Sequence, residues 1–173
     1  IRNLGYAARF HGFGGQVQSI PLAVDAGLGE LGRSGMLVTK QFGPAVRLVT
    51  VTTDLPLAVD SPVDIGVQDL CVKCKKCSEV CPVGAMSNKD EKEVRNGVKM
   101  WPFDGAACFR LKAAQGGDWT CLYCMSACCW TKPQNWFHRS CGELAARSSQ
   151  ARTVLAWLDD ALYGHQPRQH RLP

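Results

Sequence analysis

The feature that most constrains this chain is a cysteine run from Cys71 to Pro82, with the sequence CVKCKKCSEVCP. Two residues separate each of the first three cysteines, and a fourth follows after three more, directly before proline. Bacterial ferredoxins use this spacing to bind [4Fe–4S] clusters through cysteine thiolates. In proteins with two clusters, the fourth cysteine of the run binds the other cluster. The run therefore predicts a second set of cysteines elsewhere in the chain.

A second set is present downstream, and it completes the count of ligands. Its three cysteines have two- and three-residue gaps, and a further cysteine lies upstream of them. If the two motifs exchange their fourth cysteines, the chain holds two complete ligand sets. The first predicted cluster has the ligands Cys71, Cys74, Cys77 and Cys128, and the second has Cys81, Cys108, Cys121 and Cys124.

Two cysteines remain, and one of them leaves an alternative open. Cys129 stands where proline often follows the fourth cysteine, so it is an alternative ligand to Cys128, although the three-residue gap favours Cys128. Cys141 is predicted to be a buried or free thiol. A zinc site would use neither a third cysteine at two-residue spacing nor Pro82. Ten cysteines in 173 residues are also too sparse and too clustered for a disulfide framework.

Length and charge set further limits on the class of protein. The chain is long enough for one domain or slightly more, and its 46% apolar content is typical of a globular protein. The formal charge of +5 treats cysteine as neutral, so eight ligand thiolates would offset it and nucleic-acid binding is not favoured. No apolar run is long enough to predict a membrane-spanning helix. Because the chain begins at Ile1, we expect it to be a fragment of a longer protein.

The segment before the cysteines is predicted to begin with an irregular stretch over residues 1–15. Pro21 is expected to open a short helix that runs to about Ala26. Two β-rich stretches, 36–39 and 45–53, flank a turn and predict a β-hairpin with Arg47 in its second strand. If Arg47 points inward, it is a candidate for stabilising an anion. An extended connector is predicted to follow.

Four glycines recur at close intervals between the short helix and the hairpin. Such a run lets the backbone approach a flat or anionic ligand closely. The residues are Gly27, Gly29, Gly32 and Gly35. The first three match G-x-G-x-x-G, but the strand before it and the long helix after it are not evident, so we reject a Rossmann dinucleotide site.

The rest of the chain is predicted from its charge and periodicity. Lys73, Lys75 and Lys76 are expected to face solvent and offset thiolate charge. The strongly charged residues 87–99 predict an exposed loop or a short hairpin. Apolar residues at helical spacing predict a final amphipathic helix, capped by Ser148 or Ser149, that ends at Gly164. Residues 165–173 are predicted to be a frayed tail.

The order of four blocks carries a family resemblance: PLAVDAGLGELGRSGM, TDLPL, the cysteine run and the split second motif. Together they resemble the C-terminal half of a corrinoid-dependent reductive dehalogenase, over about Leu4 to Trp136. The implied fold is α/β (α+β). Part of a nitroreductase-like cobalamin-binding core would occupy residues 1–66, and a ferredoxin-like domain with two [4Fe–4S] clusters residues 67–133. A helical extension would occupy residues 134–173.

The resemblance also implies a function and its residues. Electrons would pass through two [4Fe–4S] clusters to a cobalamin, which removes halide from an organohalide. The four glycines would help to line the corrinoid, and Arg47 would be the basic residue near the substrate or leaving halide. Tyr6 is a weaker candidate for the proton donor, as is His11. The implied partners are the organohalide and an electron-donor protein or membrane anchor subunit, without nucleic acid. The expected location is the exported face of the cytoplasmic membrane, with the cytoplasm as the alternative.

Two other functions stay open. An epoxyqueuosine reductase would share the cobalamin core and paired clusters but act on tRNA. It is disfavoured because the glycine block lacks a lysine and no broad basic surface is evident. A non-catalytic ferredoxin-type electron-transfer module fits the cysteines equally well. It is disfavoured because a ferredoxin does not need the glycine-rich segment before the first cysteine.

Overall fold

The computed structural model describes residues 1–12, 17–116 and 121–164. A short 3₁₀ helix, Arg2–Leu4, precedes the regular elements. The strands are β1 Ala8–His11, β2 Glu30–Leu31, β3 Leu37–Val38, β4 Thr50–Thr53, β5 Glu93–Arg95 and β6 Val98–Met100. The helices are α1 Ser19–Asp25, α2 Val67–Cys74, α3 Lys76–Glu79, α4 Gly105–Ala114, α5 Tyr123–Ser126, α6 Trp136–Arg147 and α7 Ser149–Tyr163. The expected mixture of helix and strand is confirmed.

The strands form three antiparallel pairs, and their partners differ from the prediction. β4 pairs with β1, so that Thr53 lies opposite Ala8, and β3 pairs with β2. The predicted hairpin between residues 36–39 and 45–53 is therefore wrong, and the stretch predicted to be irregular contains β1. Strand propensity identified the segments but carries no information about partners. The nearer reversal after β2 is possible because Gly35 adopts a positive φ of 75°.

The helices and the charged segment agree better with their sequence signals. α1 begins two residues before Pro21 and ends at Asp25, as the short-helix prediction requires. The Ser148 side chain accepts a hydrogen bond from the Ala151 amide at 3.3 Å and caps α7, which ends before Gly164. The charged segment contains the β5–β6 hairpin, and its turn at Asn96 and Gly97 has positive φ at both residues. The tail over residues 165–173 lies outside the described residues.

The hydrophobic core joins all three predicted segments of the chain. Its buried members lie before, within and after the cysteine-rich part: Val38, Ile65, Val67, Leu70, Trp130 and Ala145. α7 packs against both α6 and α2, and α2 carries the first two cysteines of the run. The cysteine-rich part is therefore held by packing on both sides. Among the described residues, no helix is long and apolar enough to cross a membrane.

Candidate iron–sulfur site

The first cysteine group is built on α2 and α3. Cys71 and Cys74 lie three residues apart on α2, so their side chains share one face of the helix. Lys75 has a φ of 51°, which ends α2 and redirects the chain so that α3 carries Cys77. Burial raises the pKa of the Cys71 thiol to about 11, with the neighbouring Cys74 adding to the rise. Burial, together with Cys71 and Cys74, raises the pKa of Cys77 to about 12.

The fourth position of this group contains two adjacent cysteines. The Sγ of Cys129 lies 3.9 Å from the Sγ of Cys74. The pKa of Cys129 is raised well above its ordinary value, first by a hydrogen bond with Cys128. The Thr131 amide donates to the Cys128 carbonyl at 2.8 Å, so the two cysteines lie in a tight turn. Both neighbours therefore lie beside the first group, and the contact with Cys74 is made by Cys129.

The second cysteine group joins parts of the chain that are far apart in sequence. Burial raises the pKa of Cys124 on α5 to about 11, and Cys121, Cys108 and Cys81 each add to the rise. The Ala85 amide donates a hydrogen bond to the Sγ of Cys81 at 3.3 Å. The other three thiols all contribute to the raised pKa of Cys124, and the assignment of Cys81, Cys108, Cys121 and Cys124 to one cluster stays a prediction.

The two groups are neighbours, because α3, which carries Cys77, packs against α5, which carries Cys124. Cys141 lies apart from both groups in sequence and belongs to α6, where it is partly buried. Within the described ranges, no three His, Cys, Asp or Glu side chains converge as the ligands of a single metal ion would.

Glu30 anchors the helix that carries Cys71 and Cys74. Its Oε2 accepts hydrogen bonds from the amides of Ile65 at 2.7 Å and Val67 at 2.9 Å. α2 has glycine at its N-cap and no side-chain cap of its own, so Glu30 supplies the missing acceptor from a distant segment. Its negative charge is also favourable at a helix N-terminus. Sequence reasoning missed this role, although a glutamate between glycines in an apolar block was a signal.

Replacing Glu30 with glutamine should lower the free energy of unfolding by about 1–3 kcal/mol, because charged acceptors make the stronger hydrogen bonds. The measurement is denaturant unfolding of the reconstituted protein, followed by tryptophan fluorescence. Glu143→Gln is the matched control, since Glu143 is exposed and pairs with Lys40 on the surface. Equal unfolding midpoints for the two variants would contradict the anchoring role.

Arg33 connects the glycine block to the cysteine run. The residue is 1% exposed. Its guanidinium donates to the carbonyls of Cys71 at 2.9 Å, Ser87 at 2.9 Å and Lys89 at 2.7 Å. It also pairs with Asp90 at 3.1 Å. Through Arg33, the glycine block is therefore hydrogen-bonded to the backbone of the cysteine run at Cys71. Sequence reasoning missed this role.

All four glycines have neighbours within this chain, and three of them pack closely against it. A Cβ at Gly29 would stand 2.3 Å from the Val38 carbonyl oxygen, and one at Gly27 would stand 2.4 Å from that of Ser61. A Cβ at Gly32 would contact the side chain of Val38. Three of the predicted cofactor-lining glycines therefore permit close packing within the chain. Gly35 differs, since its nearest neighbours are side-chain atoms at 3.7 Å or more.

Two of the three candidate catalytic residues, Arg47 and Tyr6, lie outside the regular elements, and His11 is the last residue of β1. Arg47 is exposed and lies in the irregular segment before β4, so its predicted position within a hairpin strand is wrong. Tyr6 is exposed and precedes β1. The His11 Nε2 lies 3.0 Å from the Oγ1 of Thr52 on the paired strand. The catalytic roles of Arg47 and Tyr6 stay predictions.

One of the three lysines in the run does not face solvent. The side chain of Lys73 is 48% exposed and that of Lys75 is 28% exposed, but that of Lys76 is 3% exposed. The solvent-facing prediction is therefore wrong for Lys76. The physical reason is a pair of carboxylates on α7, which sequence spacing alone could not bring to it. The Lys76 Nζ lies 2.9 Å from Asp159 and also pairs with Asp160.

The buried indole of Trp130 provides an observation on whether a cluster fits. Trp130 is 7% exposed and follows Cys129 directly. Its Nε1–H has no hydrogen-bond acceptor among the described residues. Cys71, Cys74, Cys128 and Cys129 all pack against the core cluster that contains this indole. A donor without an acceptor beside clustered thiols suits a group that carries sulfur acceptors, as an iron–sulfur cluster does.

Comparison with known proteins agrees with the cysteine spacing and the resemblance. The family model "4Fe-4S binding domain" matches residues 66–87. The tetrachloroethene reductive dehalogenase of Desulfitobacterium hafniense is 38% identical over 148 residues, which are 80% of this chain and 26% of that protein. The epoxyqueuosine reductase of Escherichia coli strain K12 is 30% identical over 115 residues, which are 65% of this chain and 29% of that protein.

A solved structure gives the same result over more of the chain. It is described as a reductive dehalogenase structure that suggests a mechanism for B12-dependent dehalogenation. The TM-score is 0.87 at 34% identity, and the match covers 95% of this chain and 24% of that one. The chain spans about a quarter of the length of these relatives. Over nearly all of its described length, therefore, this chain is related to the reductive dehalogenases.

Proposed function

We propose that the chain is the cluster-bearing part of a reductive dehalogenase. In this proposal, two [4Fe–4S] clusters pass electrons to a cobalamin, and halide is removed from an organohalide. The observation that carries the proposal is that the two cysteine motifs lie against each other in a chain related to reductive dehalogenases. The helix α3, which bears Cys77, packs on α5, which bears Cys124, and the Cys129 Sγ lies 3.9 Å from the Cys74 Sγ. The alternative of a zinc site offers no reason for eight cysteines in two adjacent groups.

The residues of the chain fit two clusters. Each group offers soft thiolate ligands, which iron–sulfur clusters require. We assign Cys71, Cys74, Cys77 and Cys128 to one cluster, and Cys81, Cys108, Cys121 and Cys124 to the other. The partial burial of all eight thiols limits solvent access, and the Ala85 amide donates to Cys81; both features tune the reduction potential of a bound cluster.

We infer that the described residues do not by themselves form a corrinoid site. Three of the four glycines contact the chain's own residues, and Arg47 and Tyr6 are exposed. Cobalamin, when bound, would supply the cleavage of the carbon–halogen bond. We expect this chain alone not to bind it tightly, and we assign the remaining walls of that site to sequence that the longer relatives have in addition. Stoichiometric corrinoid binding to this chain would contradict this expectation.

The proposal includes a substrate, a partner and a cellular location. We propose an organohalide as the substrate and an electron-donor protein or a membrane anchor subunit as the partner. The proposed location is the exported face of the cytoplasmic membrane. The cytoplasm is the alternative location.

Two other functions compete with the proposal. The epoxyqueuosine reductase alternative has lower identity and shorter coverage than the dehalogenase relatives. Retention of tRNA on a native gel, with loss of binding at higher salt, would favour it. A pure electron carrier would take up both clusters but would release no halide when the longer protein is incubated with cobalamin and a haloalkene.

The first test is the metal content after anaerobic reconstitution. We expect about eight iron atoms and about eight acid-labile sulfides per chain, since each cluster holds four of both. The longer gene product should in addition contain one cobalt, whereas this chain alone should not. About four irons would contradict the two-cluster assignment, and eight irons without cobalt in the longer product would contradict the dehalogenase mechanism.

A further inference from the structure

Four charged side chains form a compact group where α7 meets the cysteine run. They are Lys76, Lys132, Asp159 and Asp160, here called the Lys76 quartet. The Lys76 Nζ donates to Asp159 at 2.9 Å and also contacts Asp160, and Lys132 contacts the other oxygen of Asp159. The Lys132 ammonium also lies over the ring of Tyr163, 4.5 Å from its centre. Two ammonium groups and two carboxylates give the quartet a formal charge of zero.

The quartet is buried in its centre. The side chain of Lys76 is 3% exposed and that of Asp159 is 9% exposed. The two carboxylates that contact the Lys76 ammonium favour its charged form. Charges in such a position interact over longer distances than exposed charges, because little solvent lies between them and their neighbours.

Lys76 lies within the first cysteine group as well as in the quartet. Lys76 lies directly before Cys77 and two residues after Cys74. Lys76 and Cys77 belong to the same short helix, α3, so the buried charges of the quartet begin within the segment that carries this cysteine group. Buried ion pairs contribute weakly to stability, so stability alone is a poor explanation for the quartet.

We propose that the Lys76 quartet sets the reduction potential of the cluster assigned to Cys71, Cys74 and Cys77. The inference rests on the proposed function, since it requires that cluster to be present. Reduction adds one negative charge to the cluster, and the local net charge determines how strongly that charge is stabilised. Asp159 and Asp160 neutralise most of the effect of Lys76, so the balance within the quartet decides the potential.

The two centre residues should shift the potential in opposite directions. Lys76→Gln leaves the quartet with a net negative charge, so the midpoint potential of one cluster should become more negative. Asp159→Asn leaves a net positive charge, so the same midpoint should become more positive. Each change should alter the ratio of reduced to oxidised cluster at a fixed potential at least tenfold, which is about 59 mV for a one-electron couple. The other cluster should keep its midpoint potential.

The experiment is a redox titration of the anaerobically reconstituted full chain, monitored by electron paramagnetic resonance. Lys73→Gln is the matched control, because Lys73 also adjoins Cys74 but is 48% exposed. Its effect on the ratio of reduced to oxidised cluster at a fixed potential should be smaller than tenfold. Unshifted midpoints, or shifts in the same direction for Lys76→Gln and Asp159→Asn, would overturn the inference. A purely structural role for the quartet predicts one of those results.

The inference can still be tested if Lys76→Gln fails to take up its full iron content. If Lys76→Gln binds fewer irons than the unmodified chain, Lys132→Gln replaces it, since it also leaves a net negative charge. Its midpoint should then be lower than that of Asp159→Asn, and the reverse order would overturn the inference. An iron content of about four in the unmodified chain would instead contradict the proposed function, so the two failures are distinguishable.

Discussion

Replacing Arg33 with methionine is expected to lower the free energy of unfolding by about 3 kcal/mol or more. Arg33 is buried and donates to three backbone carbonyls, those of Cys71, Ser87 and Lys89. A buried acceptor left without a donor costs about 1–3 kcal/mol. Lys89 is exposed, so the carbonyls of Cys71 and Ser87 should account for most of the loss. The methionine side chain fills a similar space but donates nothing. Denaturant unfolding of the reconstituted protein, followed by cluster absorbance and tryptophan fluorescence, measures the loss.

Two further variants separate hydrogen bonding from charge. Arg33→Lys keeps the positive charge but cannot span the same carbonyls, because an ammonium lacks the planar fork of a guanidinium. We expect it to lose most of the stability that Arg33→Met loses. Arg147→Met is the control, since the Arg147 side chain is 80% exposed and should affect unfolding little. If Arg33→Lys unfolds at the same denaturant concentration as the unmodified protein, the hydrogen bonds are not the cause.

Replacing Cys128 with serine should remove one of the two clusters, and the iron content should fall from about eight to about four atoms per chain. Cys128 follows Cys124 at the three-residue spacing of ferredoxin runs, and a serine hydroxyl is a harder and less acidic ligand than a thiol. Cys129→Ser should retain about eight irons. Iron and acid-labile sulfide analysis after anaerobic reconstitution measures both.

The contact between Cys129 and Cys74 makes this comparison informative, because Cys129 is the neighbour whose sulfur lies 3.9 Å from Cys74. A loss of iron in Cys129→Ser with full content in Cys128→Ser would contradict the assignment and make Cys129 the ligand. Cys141→Ser is the matched control, since Cys141 belongs to neither cysteine group and should not alter the iron content.

The sequence predicted local features well where the chemistry is local. The α7 boundaries follow from a serine that caps the first turn and a glycine after the last, and both residues act within one helix. Fixed spacing also predicts which cysteines belong together, because a short loop limits what its side chains can reach, and the iron analysis of the cysteine variants tests that prediction. The resemblance to the dehalogenases rested on blocks of residues in order, and the comparison with known proteins bore it out.

The sequence did not predict the partners of side chains and strands that are distant along the chain. The sequence predicts the segments of β3 and β4 as strands. Their pairing with β2 and β1 depends on which turns of the chain give the best-packed fold. Lys76 was expected in solvent because lysines usually are, and the two aspartates on α7 changed that. The partners of Arg33 and Glu30 could likewise not be predicted from the glycine-rich block, because they lie in the segment that begins at Ile65 and includes the cysteine run.

For this protein, the sequence by itself determined the final helix and the family relationship, and it predicted the cysteine groups. Each depends on spacing or residue order, which folding does not change. Only the tertiary structure decided how the glycine block holds the first cluster motif and which charges lie beside it. Hydrogen bonds and ion pairs across 38 or 83 residues form only where packing brings their partners together. Their strength also depends on burial, which is a property of the folded chain.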